Sequence, residues 1–199
     1  MNIDIHIHTT ASLCSRFTPS DLVSRAVSLD VPVVLVTNHH NSYGDADYLS
    51  EEFKSRGILF FAGLEMTCEW GDFLLFGEDL SEFQGYTGRF PREKLPRDDI
   101  AIVWAHPYRF YPEDVVESIK WDVAGYIDAV EVMNGNCMRS NPYANVLALK
   151  MAKKIKKPAV AGSDAHSREM FFMTYTRFKN DIGSYSDFIT AIKRGDVNI

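Results

Sequence analysis

The chain has 199 residues, of which 46% are hydrophobic and 24% charged, and its formal net charge at pH 7 is −6. The high hydrophobic fraction argues against intrinsic disorder, and the length suits a single domain over residues 1–199 with one sizeable core. The excess of 27 Asp and Glu over 21 Lys and Arg disfavours binding along a long nucleic acid. It still permits a short nucleotide substrate held by a metal.

The cysteines and the chain start bear on the compartment. Cys14, Cys68 and Cys137 are too few and too scattered for a disulfide framework or a zinc knuckle. No apolar run approaches the ~20 residues that a membrane span needs. The amino-terminal segment also lacks the basic region and apolar core of a secretion signal. These features predict a cytoplasmic protein that does not associate with a membrane.

Apolar runs rich in Val and Ile alternate with helical patterns, which favours βα units around a mainly parallel sheet. The period-two alternation over residues 1–8 predicts the first strand. Thr18 followed by Pro19 predicts a helix start. Residues 79–98, rich in Gly, Pro and charge, are expected to be a surface excursion. Further strands are predicted over 31–36, 58–63, 73–76, 100–105, 127–133 and 159–162, and helices over about 19–29, 44–56, 112–119, 142–155 and 185–194.

The chain has six histidines, and their positions along the sequence follow a regular pattern. All six fall at the carboxyl ends of predicted strands, and Glu65 and Asp164 occupy equivalent places. In parallel α/β barrels the carboxyl ends of the strands form one rim, where active sites are built. We therefore expect residues from distant parts of the chain to converge on one pocket. The histidines concerned are His6, His8, His39, His40, His106 and His166.

The spacing within these groups indicates a metal site. His6 and His8 are separated by one residue on a strand, so both imidazoles point to the same face. Asp164 and His166 repeat that spacing. Neutral imidazole binds Zn, Fe and Mn. Each piece alone has a plainer explanation, such as exposed strand histidines or a carboxylate that caps a turn, but the joint pattern predicts metal ligands.

The chain resembles the polymerase and histidinol phosphatase (PHP) domain family. The resemblance runs from residue 3 to about 178. It implies a distorted (βα)7 TIM-like barrel with two or three divalent transition-metal ions (Zn, Mn or Fe) at the carboxyl ends of the strands. The matching motifs are DIHIH at 4–8, VTNH at 36–39, GLE at 63–65, AHP at 105–107, DAVEVMNG at 128–135 and AGSDAHS at 161–167.

The resemblance also implies a role for each matching residue. Glu65 would bridge from the first metal to a second one, which His106 also binds, and His39 and His166 would belong to a third position. The first metal would be bound by His6, His8, Glu65 and Asp164. A metal-activated hydroxide close to Glu65 would be the nucleophile, with its proton relayed by Asp164, His39 or His166.

Three positions depart from the family pattern. Cys14 stands where many members have a carboxylate or a histidine, and a small buried cysteine is favoured over a thiolate ligand. Asn134 stands where some members have a further histidine, and we expect it to orient a water or turn the backbone, because Asn is a weak neutral ligand. Asn38 and His40 replace aspartates on either side of His39. Either histidine could face the pocket, and the spacing favours His39.

Side chains next to the ligands are candidates for substrate binding. The guanidinium fork of arginine fits phosphate oxygens. Arg109 is favoured because only two residues separate it from His106, although each arginine could equally be a solvated surface residue. The candidates are Arg16, Arg109 and Arg168. Three aromatic residues could wall the pocket or stack a base, though such a run more often packs into a core: Tyr108, Phe110 and Tyr111.

The predicted activity is metal-dependent hydrolysis of a phosphate ester, with a small phosphomonoester or nucleotide as substrate. One alternative is an amidohydrolase-type metal hydrolase, which also opens with the HxH pair. Those enzymes usually bridge their metals with a modified lysine, whereas no lysine lies at a predicted strand end between Glu65 and His106. The other alternative is a non-catalytic metal-binding module with a regulatory role.

Overall fold

A computed structural model describes residues 1–40 and 43–199. The helices are α1 (Pro19–Ser28), α2 (Ala46–Lys54), α3 (Glu113–Ala124), α4 (Gly135–Ser140), α5 (Pro142–Ile155) and α6 (Tyr185–Arg194). The strands are β1 (Asn2–Ile3), β2 (Val33–Val36), β3 (Leu59–Ala62), β4 (Leu64–Cys68), β5 (Gly71–Phe76), β6 (Ala101–Ala105), β7 (Ala129–Asn134), β8 (Ala159–Gly162), β9 (Thr176–Phe178) and β10 (Val197–Asn198). In these two ranges, no helix has the length and apolar character needed to cross a membrane.

The strands form a mixed α/β fold. The largest sheet has the order β4-β5-β6-β7-β8, in which β6, β7 and β8 run parallel. β2 pairs with β3 in parallel, as expected for βα units. By contrast, β4 and β5 form an antiparallel hairpin, and β5 is also antiparallel to β6. The expectation of a mainly parallel sheet is therefore wrong for this hairpin, whose turn is closed by Gly71 at a φ of 109°.

The amino-terminal segment connects the sheets. Its regular strand covers only Asn2–Ile3, so the strand predicted over residues 1–8 is much shorter than expected. The chain beyond it stays paired: Ile7 forms a parallel bridge with Ala165, and its carbonyl accepts from the backbone that follows β2. His39, after β2, forms a parallel bridge with Glu65 on β4. These bonds bring the predicted site segments side by side.

Apolar side chains alternate between the two faces of the large sheet. On β5 and β6, Phe73 and Trp104 face a cluster with α3 and α5, whereas Leu74 and Val103 face a cluster with α6. A third cluster lies around α1 and α2 and includes Phe17. With both faces covered, the sheet can hold polar groups at its strand ends in fixed positions.

The segment over residues 79–98 is more than the predicted surface excursion. It has little regular structure beyond a 3₁₀ turn at Ser81–Phe83. Four of its side chains are nevertheless buried against the large sheet: Leu80, Phe83, Phe90 and Leu95. The charges that made the segment look solvent-exposed belong to surface pairs between these anchors, such as Arg97 with Glu82.

Candidate metal centre

Seven of the predicted ligands meet at one place. Glu65 Oε2 lies 3.3 Å from His6 Nε2, 3.0 Å from His8 Nε2 and 3.2 Å from His39 Nδ1. The other oxygen of Glu65, Oε1, lies 3.1 Å from His106 Nε2. Donor atoms that share an ion with bonds of about 2.0–2.2 Å stand at such separations. One carboxylate thus contacts four imidazoles.

Asp164 completes the cluster from the end of β8. Its Oδ1 lies 3.6 Å from His6 Nε2, 3.4 Å from His8 Nε2 and 3.3 Å from His166 Nδ1, and its Oδ2 lies 3.9 Å from His106 Nε2. The backbone of Asp164 has a φ of 52°, and that of His106 a φ of 26°. Residues other than glycine rarely adopt this left-handed region, and those that do are concentrated at functional sites.

The ligand atoms fall into overlapping groups of three. Glu65 belongs to two of the groups, which is the arrangement of a carboxylate shared between neighbouring ions. The ligand atoms of each group lie within 4.8 Å of one another. The groups are His6-His8-Glu65, Glu65-Asp72-His106, His6-His106-Asp164 and His8-His39-His166.

The residues present fit metal ions. Glu65 Oε2 is buried and makes no hydrogen bond of good geometry within the described residues, although imidazoles surround it. Burying a carboxylate oxygen without a partner is costly, and a cation beside it would remove that cost. Imidazole nitrogens together with carboxylate oxygens form a donor set suited to divalent transition metals.

The buried part of the cluster is strongly coupled. Burial raises the pKa of Glu65, but the neighbouring imidazoles, above all His6, outweigh burial and hold that pKa well below its ordinary value. The pKa of Asp164 is held low in the same way. Conversely, burial lowers the pKa of His6, and the charges of Glu131, Asp164 and Glu65 raise it well above its ordinary value. The carboxylates therefore stay ionised and attract cations.

His39 and His166 occupy a more open part of the cluster. Their side chains are 30% and 20% exposed, whereas His6 and His8 are completely buried. Burial lowers the pKa of His39 to about 4. Burial and the charge of His8 lower the pKa of His166. Both rings are therefore neutral near pH 7 and free to bind a metal.

Glu131 holds two of the ligands and was not among the site residues predicted from the sequence. It is fully buried, and its Oε1 accepts from His6 Nδ1 at 3.0 Å. Its Oε2 accepts from the backbone N–H of His106 at 3.0 Å and from Asn134 Nδ2 at 2.9 Å. Partners of this kind fix the tautomer and orientation of metal-binding histidines. Its signals in the sequence were its place within the DAVEVMNG motif and its acidic side chain in the middle of an apolar strand.

Ser12 and Asp72 also support the cluster without having been predicted. Ser12 Oγ lies 3.2 Å from His8 Nδ1 and accepts from the backbone N–H of His39 at 2.9 Å. Asp72 Oδ2 lies 3.9 Å from His106 Nδ1. Neither residue stood at the end of a predicted strand, so the pattern that revealed the histidines gave no signal for them.

Asp4 lies in the same period-two series as His6 and His8 but has a different use. Its carboxylate accepts from the backbone N–H groups of Ser163, Phe172 and His6. Burial raises the pKa of Asp4 to about 6, although these hydrogen bonds act to lower it. Asp4 thus fastens the first segment to the end of β8, beside Asp164.

Asn134 does not present its amide as a ligand. Its Oδ1 accepts from the backbone N–H of Cys137, which caps the start of α4. Its Nδ2 donates to Glu131 at 2.9 Å and to Asp164 at 3.2 Å. The residue therefore orients carboxylates and starts the helix α4.

His39, and not His40, faces the cluster. Besides its contact with Glu65, the ring of His39 stacks on that of His8 with centroids 4.5 Å apart. His40 adopts a left-handed φ of 54°, and its buried Nδ1 has no hydrogen bond within the described residues.

Cys14 contradicts the expectation of a small buried residue. It is exposed, whereas Cys68 and Cys137 are buried. Its Sγ lies 3.2 Å from His166 Nε2. The thiol therefore reaches the edge of the cluster from the loop that follows the HxH pair, a loop whose course the sequence did not predict.

The three candidate arginines lie in two places. Arg109 shares a cavity of about 170 Å³ with the ligands, where its Nη1 pairs with Asp164 Oδ2. Arg16 and Arg168 instead line a larger cavity of about 570 Å³ beside His166. Arg139 of α4, which the sequence did not point to, lines that cavity too.

The three aromatic residues after His106 separate into wall and core. Phe110 is 65% exposed and lines the cavity that holds the ligands. The guanidinium of Arg109 lies over its ring, with Cζ 4.6 Å from the ring centroid. Tyr108 is buried, and Tyr111 packs partly buried against the same core cluster. Of the three, Phe110 alone forms part of the cavity wall.

Comparison with known proteins agrees with this geometry. Residues 142–197 match the PHP_C family model, described as PHP-associated. The fold is similar to that of a two-domain protein from Bacteroides vulgatus containing a predicted PHP-like metal-dependent phosphoesterase, with a TM-score of 0.69 and 17% identity. The chain therefore resembles PHP-family proteins in residues 142–197 and in its fold. The match covers 99% of this chain and 63% of the two-domain protein, so the chain spans less than two thirds of that relative.

Two further solved structures share this fold. A protein from Bifidobacterium adolescentis, proposed to be a metal-dependent phosphoesterase, has a TM-score of 0.59 and 17% identity, with 95% of each chain covered. An amidohydrolase from Chromobacterium violaceum has a TM-score of 0.66 and 18% identity, covering 100% of this chain and 98% of that one. No curated protein sequence matches the chain.

Proposed function

We propose that this chain is a PHP domain that hydrolyses phosphate esters with the help of divalent metal ions, and that its substrate is a small phosphomonoester or nucleotide. The observation that carries the proposal is the environment of Glu65. Its buried Oε2 has no hydrogen bond of good geometry, yet it lies within 3.3 Å of three imidazoles, and Oε1 contacts a fourth. We take the paired segments to form a distorted seven-stranded barrel with this cluster at the carboxyl ends of its strands.

The donor set suits two or three ions of Zn, Mn or Fe. Glu65 and His106, with Asp72 beside them, would hold a second ion, and His39 and His166 would hold a third. The first ion would be bound by His6, His8, Glu65 and Asp164. Such ions would supply positive charge next to the phosphate and a water of lowered pKa.

The side chains around these positions can bind phosphate and move a proton. The lowered pKa of His166 keeps its ring neutral near pH 7, so it can accept a proton beside Asp164. Arg109 reaches the same cavity with a planar fork that fits phosphate oxygens. Arg16 and Arg168 would attract an anionic group on the far side of His166.

The amidohydrolase alternative is weaker. The cavity that holds the ligands is lined by Glu65 and contains no lysine among its described residues, so it lacks the usual bridging group of that class. The related amidohydrolase from Chromobacterium violaceum has bound sulfate, an ion with the shape of phosphate. That observation supports binding of a tetrahedral anion on this fold. The alternative of a non-catalytic module is addressed by the activity test below.

The test is a panel of phosphate mono- and diesters, assayed with added Mn, Fe or Zn. We expect turnover by the wild type and a loss of at least about a hundredfold in Glu65→Gln, because the variant removes a charge that two ligand groups share. Glu51→Gln on the exposed side of α2 is the matched control and should keep full activity. No turnover of any ester by metal-loaded wild type would contradict the proposal and favour the non-catalytic module.

A further inference from the structure

We propose that Leu13 and Phe110 bind the organic group of the substrate, and that this group is an uncharged planar ring carried by the phosphate ester. The inference rests on the proposed function, because it assigns a substrate class and two specificity-determining residues to the same site. It selects ring-bearing esters from the wider class of small phosphate esters.

The exposure of these two side chains is the first observation. Leu13 is fully exposed and Phe110 is 65% exposed, and the next large apolar side chain among residues 1–40 and 43–199 is Trp121, at 59%. Scattered apolar residues are common on protein surfaces. The two most exposed ones here, however, both line cavities at the candidate metal centre. Because water is a poor solvent for such groups, a ligand that covers them is stabilised.

The sizes of the two cavities indicate which part of a substrate each one holds. The smaller, of about 170 Å³, contains the metal ligands together with Arg109 and Phe110. The larger, of about 540 Å³, is lined by Leu13 and shares His39 and Cys14 with the smaller one. Pockets for small organic molecules typically measure roughly 300–1,000 Å³. The phosphate therefore fits the smaller cavity, and the organic group fits the larger one beside it.

The lining of the larger cavity favours an uncharged group. Among its described residues there is no aspartate, glutamate, lysine or arginine: they are Ala11, Leu13, Cys14, His39, His40 and Thr67. A charged group placed against such a wall would lose hydration without gaining an ionic partner. The cavity on the other side of His166 differs, because it is lined by arginine and acidic side chains.

Flat side chains at both cavities favour a ring over a flexible aliphatic chain. The imidazoles of His39 and His40 line the larger cavity, with ring centroids 6.0 Å apart and planes inclined by 30°. Phe110 adds a phenyl ring at the wall of the smaller cavity. Aromatic groups stack on such rings with a gain beyond simple burial. An aliphatic group of similar size gains only the burial.

Both residues are held in place without a substrate. The guanidinium of Arg109 covers one side of the Phe110 ring, with Cζ 4.6 Å from the ring centroid. The turn that carries Leu13 is closed by a hydrogen bond of 2.9 Å from the backbone N–H of Ser15 to the carbonyl of Ser12. A binding surface that is already ordered loses less conformational entropy when a ligand binds. The turn thus holds an apolar side chain ready beside the site.

The test compares two non-hydrolysable probes with the same anionic head, phenylphosphonate and methylphosphonate, by calorimetric titration of Mn-loaded protein. We expect the wild type to bind phenylphosphonate at least about tenfold more tightly, as ring stacking typically provides. Leu13→Ser and Phe110→Ser should each reduce this ratio at least about threefold. Trp121→Ser, which removes an exposed aromatic side chain that lines neither cavity, is the matched control and should keep the wild-type ratio.

The outcomes separate this inference from the proposed function. If both probes bind equally tightly, or if the preference persists in Leu13→Ser and Phe110→Ser, this inference is wrong and phosphate binding at the centre stands. If neither probe binds, both proposals fail. Sedimentation gives a second readout: self-association of the wild type that is lost in Leu13→Ser would assign Leu13 to contact between copies of the chain and overturn its role here.

Discussion

The candidate centre has two parts with different physical chemistry. We call inner ligands the buried set His6, His8, His106, Glu65 and Asp164, and outer ligands His39 and His166. The inner side chains are at most 3% exposed, while His39 and His166 are 30% and 20% exposed. Carboxylates raise the pKa of the inner histidines, whereas burial lowers those of the two outer ones.

The difference comes from the surroundings of each part. Inner ligands are held by further buried groups, above all Glu131, which fixes His6 and the backbone of His106. The outer ligands have fewer such supports, and one of them, His166, borders the cavity that Arg16 and Arg168 line. We infer that the inner part holds its ions firmly and that the outer part exchanges its ion and meets the substrate.

The largest effect is expected from weakening the inner support with Glu131→Gln. The amide would place an NH2 group against donors, because the carboxylate accepts from His6, from His106 N–H and from Asn134 Nδ2. Loss of such a partner typically costs 10–100-fold in metal affinity or activity. Competition with a chelator would measure this. Glu113→Gln, exposed on α3, is the control, and an unchanged inner affinity would contradict the role given to Glu131.

A purely steric change should damage the inner part next most. An added Cβ at Gly162 would stand 2.5 Å from His6 Cβ and 2.8 Å from Glu131 Oε1. We expect Gly162→Ala to lower the free energy of unfolding by about 1–3 kcal/mol and to displace His6. Denaturant unfolding measures the first effect. Gly183→Ala is the control, since the atom nearest to its added Cβ would be 3.6 Å away. Equal free energies of unfolding of the two variants would show that β8 shifts to accommodate the added methyl group.

Removing an outer ligand should have a smaller and more selective effect. We expect His39→Ala to lower the metal content by one ion per chain while the inner ions remain, because His39 belongs to the His8-His39-His166 group and to none of the inner groups. Elemental mass spectrometry after gel filtration gives the count. Loss of every ion in this variant would show that the two parts are not separable.

How much of this centre follows from the sequence depends on how each residue is encoded. His6, His8 and Asp164 could be predicted because the strand period and strand ends are local signals. Glu131 could not, since its partners lie 125 and 25 residues away in the chain. The exposure of Cys14 depends on a loop that turns on long-range bonds to His166.

The errors in the predicted fold also arise where local sequence signals do not reflect long-range contacts. The hairpin of β4 and β5 was not predicted because Gly63 separates β3 from β4. The sequence therefore placed Glu65 at the end of one strand, whereas it is the second residue of the next strand, β4. The buried anchors over residues 79–98 were hidden by the surface charges between them. The capped start of α1 was predicted correctly: Thr18 Oγ1 accepts from Asp21 N–H at 3.1 Å. That cap is encoded within four residues.

The smallest effect is the acid sensitivity of metal-free protein. The folded pKa of His39, about 4, lies below its unfolded value near 6.5, so unfolded chains bind more protons between these pH values. The contribution of His39 to stability is therefore present above pH 6.5 and is lost as pH falls toward 4. We expect His39→Gln to lose less stability over this interval, measured by urea unfolding. Identical slopes would contradict the assignment of a lowered pKa.

The central claim is that the inner and outer ligands bind metal ions. Metal content per chain, measured on protein purified without chelator and located in crystals by anomalous scattering, tests it most directly. We predict two or three transition-metal ions per chain, with the first between His6, His8, Glu65 and Asp164. A chain that still holds none after incubation with Mn, Fe and Zn would contradict the account.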